Sequence, residues 1–110
     1  MSYEVVAIHP FLKQAKRLLK KYPSLKSELA VLASQLEKEA DLGIHLGSNI
    51  YKIRLAVRSK GKGKSGGLRI FTYVKVIDSR VYLVALFDKS KIANVPVATI
   101  RQLIEAAELD

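Results

Sequence analysis

From Leu42 to Ile77 the chain carries no acidic residue, and its cations there recur with the period of a strand. Side chains alternate across a strand. In Ile50–Val57, Tyr51, Ile53, Leu55 and Val57 therefore take one face, and Lys52, Arg54, Ala56 and Arg58 the other. In Leu68–Ile77 the apolar set is Leu68, Ile70, Thr72, Val74 and Val76. The opposing set is Arg69, Phe71, Tyr73, Lys75 and Ile77. Segments patterned this way are restricted to a sheet that is apolar on one face and cationic on the other. Something must cover the apolar face.

The upstream sequence supplies the cover. Tyr3–Ile8 reads as a short strand with β-branched Val5 and Val6. His9-Pro10 ends it, and Pro10 suits the first turn of a helix. Phe11, Ala15, Leu18, Leu19 and Tyr22 recur at helical spacing, with Lys13, Lys16, Arg17, Lys20 and Lys21 largely opposite. Pro23 stops that helix, and Ser24 is placed to cap a second helix running to about Asp41, with Leu25, Leu29, Leu32, Ala33 and Leu36 as its stripe. Leu42–Asn49, with Gly43 and Gly47, reads as a loop. Strands are predicted at Ile50–Val57, Leu68–Ile77 and Arg80–Phe87, and a helix at Thr99–Leu109. The order β-α-α-β-β-β-α gives an α+β fold, an antiparallel sheet with a helix hairpin on one face, in one domain spanning 1–110.

If Asp78-Ser79 is a two-residue turn, Ile77 pairs with Arg80, Lys75 with Tyr82, Phe71 with Leu86 and Arg69 with Asp88. The cationic face then also exposes Phe71, Tyr73 and Tyr82. Cations interleaved with aromatics grip phosphates and stack bases. The net charge of +9 agrees with a polyanionic partner. A solvated outer face is the plain alternative, and the lack of acids on both strands weighs against it.

With 49% hydrophobic residues the chain can offset the entropy of ordering. It has no cysteine, which excludes disulfides and thiolate metal sites. No segment approaches a membrane span and no secretory leader is evident, so a cytoplasmic protein is expected. His9 and His45 read as loop histidines without a third ligand nearby, so no metal and no cofactor is expected. Gly61-Lys62-Gly63-Lys64-Ser65-Gly66 fits G-x-G-x-x-G literally, but a strand follows where a dinucleotide site needs a helix. Arg58 stands where a P-loop needs its first glycine. The segment Arg58–Gly67 is instead expected to be a mobile basic loop whose Lys60, Lys62 and Lys64 wrap a phosphate backbone.

A nuclease built on this face must use Lys, Arg and Tyr. Arginine stays protonated and only stabilises charge. Lysine serves as a base where burial and neighbouring cations ease loss of its proton, and Lys52 is flanked by Arg54 and Arg69.

Tyr51-Lys52-Ile53-Arg54-Leu55, the GK-x-GG-x-R loop ending Ser65-Gly66-Gly67-Leu68-Arg69-Ile70, and Val81-Tyr82-Leu83-Val84-Ala85-Leu86-Phe87-Asp88-Lys89 together resemble the RelE/ParE superfamily of bacterial toxins, nearest its HigB-like branch. The resemblance extends over nearly the whole chain in element order. It implies a microbial-RNase-like fold and a ribosome-dependent mRNA endonuclease, an mRNA interferase that inhibits translation by metal-free 2′-O transphosphorylation. It also implies a cognate antitoxin, for example in a heterotetramer, and contacts to rRNA and mRNA but not to membrane. By motif, Lys52 and Arg69 take catalytic roles and Arg54 an electrostatic one. Where many members carry arginine after the last strand, this chain has Asp88-Lys89-Ser90-Lys91, which puts the third role on Lys89 or Lys91. Arg58, Lys60, Lys62, Lys64, Tyr73, Lys75 and Tyr82 are expected to bind RNA. The alternatives are a ParE-like gyrase inhibitor on the same fold and a non-catalytic RNA-binding module.

Overall fold

The computed structural model describes residues 2–110 except Lys62, Lys64, Ser65 and Ala93. Strand β1 (Glu4–Ala7) leads into helix α1 (His9–Lys21) and helix α2 (Leu25–Lys38). Strands β2 (Ile44–His45), β3 (Ile50–Leu55), β4 (Leu68–Lys75) and β5 (Arg80–Asp88) follow, then helix α3 (Val97–Ala106). The sheet order is β1-β5-β4-β3-β2. β1 runs parallel to β5 and the other pairs are antiparallel, so the sheet is mixed. β2 lies where a loop was expected. It is only two residues long, and Gly43 before it has φ +98 with its Cα so close to the Lys52 carbonyl that a Cβ would collide.

Pro10 sits in the first turn of α1, and Phe11, Ala15 and Leu18 form its buried stripe. The residue before a proline is pushed to extended backbone, and Tyr22, before Pro23, ends the helix with φ −121 and ψ 95. Ser24 does not cap α2 with its side chain. Its Oγ donates to Glu28 Oε1 at 3.0 Å and accepts from Ser59 N at 3.0 Å, tying the helix start to the segment after β3. The hairpin buries Leu25, Leu32 and Leu36 against Ile53, Leu68, Ile70, Val81 and Leu86. Each such side chain contributes about 1.5–3 kcal/mol when fully buried.

The opposite sheet face is not left bare. Ile100 and Ile104 of α3 cover Ile50, Phe71, Tyr82, Val84 and Ala85. Phe71 is only 2% exposed and Tyr82 only 8%, which corrects the expectation of exposed stacking rings. Tyr73 is half-buried and stacks on Tyr82, with centroids 6.3 Å apart.

The β4–β5 connection also differs from the expected two-residue turn. A 3-10 turn at Val76–Asp78 and a left-handed Ser79 (φ 51) close it, so Lys75 pairs with Arg80 rather than Tyr82. A bulge follows, with Thr72 opposite Leu83 but Phe71 opposite Ala85. The extra residue is Val84, and beyond it Arg69 pairs with Phe87 and Leu68 with Asp88, not Arg69 with Asp88. A bulge reverses which side chains point to which face. It turns Phe87 toward the open face and Asp88 toward the helix hairpin.

Candidate nucleic-acid site

β3 and β4 pair with Arg54 opposite Arg69 and Lys52 opposite Phe71, so Lys52, Arg54 and Arg69 share the face away from the helix hairpin. Like charges directly opposite one another destabilise a sheet. Burial and then the Arg54 charge lower the pKa of Arg69, and Arg69 Nη1 donates to the Leu68 carbonyl at 3.2 Å. Among the described residues no carboxylate lies within ion-pair distance of Lys52 or Arg54. Phe87 stands beside Arg69 and meets Phe71 edge-on at 6.0 Å. Three cations thus rise from a partly aromatic floor, at the end of the face that α3 leaves uncovered. Such a surface suits a phosphate backbone with a base laid on the half-buried Phe87 ring.

The other candidates are distributed elsewhere. Arg58 leaves strand geometry in a 3-10 turn (Arg58–Lys60) and swings to α2, where its backbone N donates to Glu28 Oε2 at 2.8 Å. It therefore does not share the Lys52 face. Lys75 pairs with Asp78 at 3.4 Å at the far end of β4. That end is about 20 Å from Arg69 at roughly 3.4 Å per residue. Tyr73 lines a small cleft beneath α3 with Ser48, Ile50 and Arg101, and Tyr82 is buried. Lys89 is half-buried, its backbone N donating to the Gly67 carbonyl at 3.2 Å. Lys91 is exposed and lines a cleft of about 450 Å³ with Arg17 and Lys21 of α1. Lys62 and Lys64 lie outside the described residues. His45 stacks on Tyr51 at 4.8 Å on the hairpin side.

Lys60 has a role that the sequence reading missed. Its Nζ lies 2.9 Å from Asp88 Oδ1, with side chains 6% and 4% exposed. It also donates to the Gly66 carbonyl. Tyr22 Oη donates to Asp88 Oδ2 at 2.7 Å. Ser90 N and Oγ donate to Oδ1 at 3.0 and 2.7 Å. Burial pushes the Asp88 carboxyl up, but the Lys60 ammonium and the Ser90 and Tyr22 donors outweigh it and hold it well below the usual carboxylate range. Burial and the facing carboxylate push the Tyr22 phenol up to about 12. The segment Arg58–Gly67, expected to be a mobile loop, is anchored at Ser59, Lys60 and Gly66 among its described residues. The available signal was an acid ending an apolar strand in cationic surroundings, which demands a partner once buried.

A five-stranded mixed sheet, a helix hairpin on one face and a cationic patch on the other define a small α+β protein with an open face suited to polyanions. The sequence profile of the RelE toxin of the RelE/RelB toxin–antitoxin system matches residues 11–109. The chain belongs to that toxin family, and membership implies a RelB-like antitoxin partner. The structure resembles that of the E. coli toxin RelE, solved as a double arginine-to-alanine mutant in the free state, with a TM-score of 0.62. The match is 14% identical and covers 84% of this chain and 90% of that one. No curated protein sequence matches the chain. Among the described residues no helix is long and apolar enough to cross a membrane.

Proposed function

We propose that this toxin is an endoribonuclease that cuts mRNA in the ribosomal A site. The observation that carries the reading is the cross-strand pair Arg54–Arg69 beside Lys52, a costly concentration of like charge. In the reaction, Lys52 takes the proton of an RNA 2′-hydroxyl. The 2′ oxygen attacks the adjacent phosphorus and the bond to the 5′ oxygen breaks. Arg54 and Arg69 stay protonated and hold the extra charge on the phosphoryl oxygens. Lys89, next after β5, returns a proton to the leaving 5′ oxygen. The products are a 2′,3′-cyclic phosphate and a 5′-hydroxyl. Phe87 supports a base, and the antitoxin neutralises the patch or displaces an element beside it.

Expressing the chain alone and mapping mRNA 5′ ends with and without ribosomes tests this reading. Arg69→Ala should lower cleavage by on the order of 10²–10³, as losing a charge-stabilising donor does. Lys52→Ala should cost a similar factor, and Lys52→Arg should not restore it. Toxicity of Arg69→Ala at equal expression would overturn the assignment, and a DNA-damage response with intact mRNA would favour gyrase inhibition.

A further inference from the structure

Asp88 does more than close an ion pair. Its carbonyl accepts from the backbone N of Lys91 and of Ile92, both at 3.0 Å. Its carboxylate accepts from Ser90, Tyr22 and Lys60. Donors from the end of α1, the segment after β3 and the turn after β5 thus converge on one residue.

The same contacts tie the start of β4 to the end of β5. Lys60 Nζ bridges Asp88 to the Gly66 carbonyl. The next carbonyl, that of Gly67, accepts from Lys89 N at 3.2 Å. Gly67 itself lies so close to the Leu55 carbonyl that a Cβ would overlap it. Leu68 then pairs with Asp88, and Arg69 with Phe87. Arg69 therefore stands just beyond one side of the clamp and Lys89 just beyond the other. The clamp is held from behind as well, by Arg58 N on Glu28 and Ser59 N on Ser24.

Stability alone does not call for charge at this place. Well-packed apolar side chains of similar volume often hold a core as firmly as a buried ion pair, which must first shed its water. What an apolar pair lacks is direction. The ammonium satisfies the Asp88 carboxylate and the Gly66 carbonyl together at only one relative placement of the two, so the strand ends cannot slide past each other. Both charged side chains are covered, so neither can meet RNA itself.

We infer that Lys60 and Asp88 are positioning residues for the RNA-cutting site: they hold the start of β4 against the end of β5 so that Arg69 and Lys89 reach one phosphate at a fixed spacing. Tyr22 supports them by fixing the second carboxylate oxygen. A misplacement of about 1 Å far from the reacting atoms can cost on the order of 10² in rate. The inference rests on the function proposed above.

The test compares the native chain with Lys60→Met/Asp88→Asn, which leaves no unpaired charge in the core, and with Leu36→Val, which trims the hairpin core on α2. Urea unfolding establishes that each is folded under the assay conditions. On ribosomes carrying one mRNA, the double variant should lose about 10- to 100-fold in kcat, while the ribosome concentration giving half the maximal rate stays within about threefold. Leu36→Val should keep its kcat. In isotope-labelled protein without ribosomes, relaxation measurements should find lower order at the Arg69 Nε–H and the Lys89 backbone N–H of the double variant, with the Tyr51 and Lys52 amides unchanged. A folded double variant with native kcat, a loss equalled by Leu36→Val, or a loss seen only in the half-maximal concentration would overturn the inference. So would unchanged order at Arg69 and Lys89. Failure of the nuclease reading looks different: the native chain itself would leave mRNA intact, and the order measurements would still decide whether Lys60 and Asp88 hold the two strand ends.

Discussion

Removing either member of the Lys60–Asp88 pair should cost far more than a surface ion pair is worth. Lys60→Met keeps the apolar stem and removes the ammonium. The Asp88 carboxylate then stays buried with only the neutral donors Tyr22 and Ser90. Asp88→Asn keeps the shape and leaves a 94%-covered ammonium with neutral partners only, the Gly66 carbonyl, the new amide oxygen and the Tyr22 ring. Breaking a buried pair from one side typically costs about 3–5 kcal/mol. That is a large share of the roughly 5–15 kcal/mol that holds a small protein folded. The double variant buries no charge and loses only hydrogen bonds, about 1–3 kcal/mol. It should therefore be more stable than either single variant. Urea unfolding followed by far-UV circular dichroism at pH 7 measures all four proteins, with equal m-values as the check on comparability. Single variants costing less than about 1 kcal/mol, the range of exposed pairs, or a double variant equal to the sum, would refute the argument. The pH dependence has a definite sign. Asp88 titrates lower in the folded than in the unfolded chain, so its contribution is complete above about pH 4. It declines as pH falls toward the folded value, and the deficit of Asp88→Asn should shrink there.

Tyr22, raised from 10.0 to about 12, works in the opposite sense: its contribution is complete below pH 10 and lost as pH rises to about 12, an effect of about 2–3 kcal/mol. Tyr22→Phe should lack that alkaline decline in urea titrations at stepped pH. Gly67→Ala should destabilise by about 1–3 kcal/mol, because a Cβ there meets the Leu55 carbonyl; thermal unfolding checks it. Arg54→Thr should stabilise the free protein by about 0.2–1 kcal/mol by relieving the repulsion across from Arg69, while weakening oligonucleotide binding in the same preparation. The antitoxin should carry an acidic segment, and calorimetry should find its affinity falling with salt.

Strand parity made the Lys52–Arg54–Arg69 alignment legible, because one period fixes three positions once β3 and β4 pair. Helical spacing likewise revealed Phe11, Ala15, Leu18 and Leu25 as core. What could not be read was set by local geometry without a periodic trace. The four-residue closure through Ser79 and the extra residue Val84 each shift register by amounts that alternation does not encode. Parity also failed Arg58, since the strand ends at Leu55 and a 3-10 turn redirects the next residues. Lys60 and Asp88 were misread for a different reason. Composition identifies a cation but not whether it faces solvent or a buried carboxylate 28 positions away.

The bulge at Val84 makes residue count along β5 an evolutionary constraint. Deleting one residue there would return Phe87 to the hairpin side and Asp88 to the open face. That would strand Lys60 in the core and place a carboxylate among the cations of the open face. No single further substitution repairs both defects. Relatives with a shorter strand are therefore expected to have lost the acid, its buried lysine and the tyrosine hydroxyl together. An alignment of such toxins should show these three positions changing as a block, in step with a gap at the bulge.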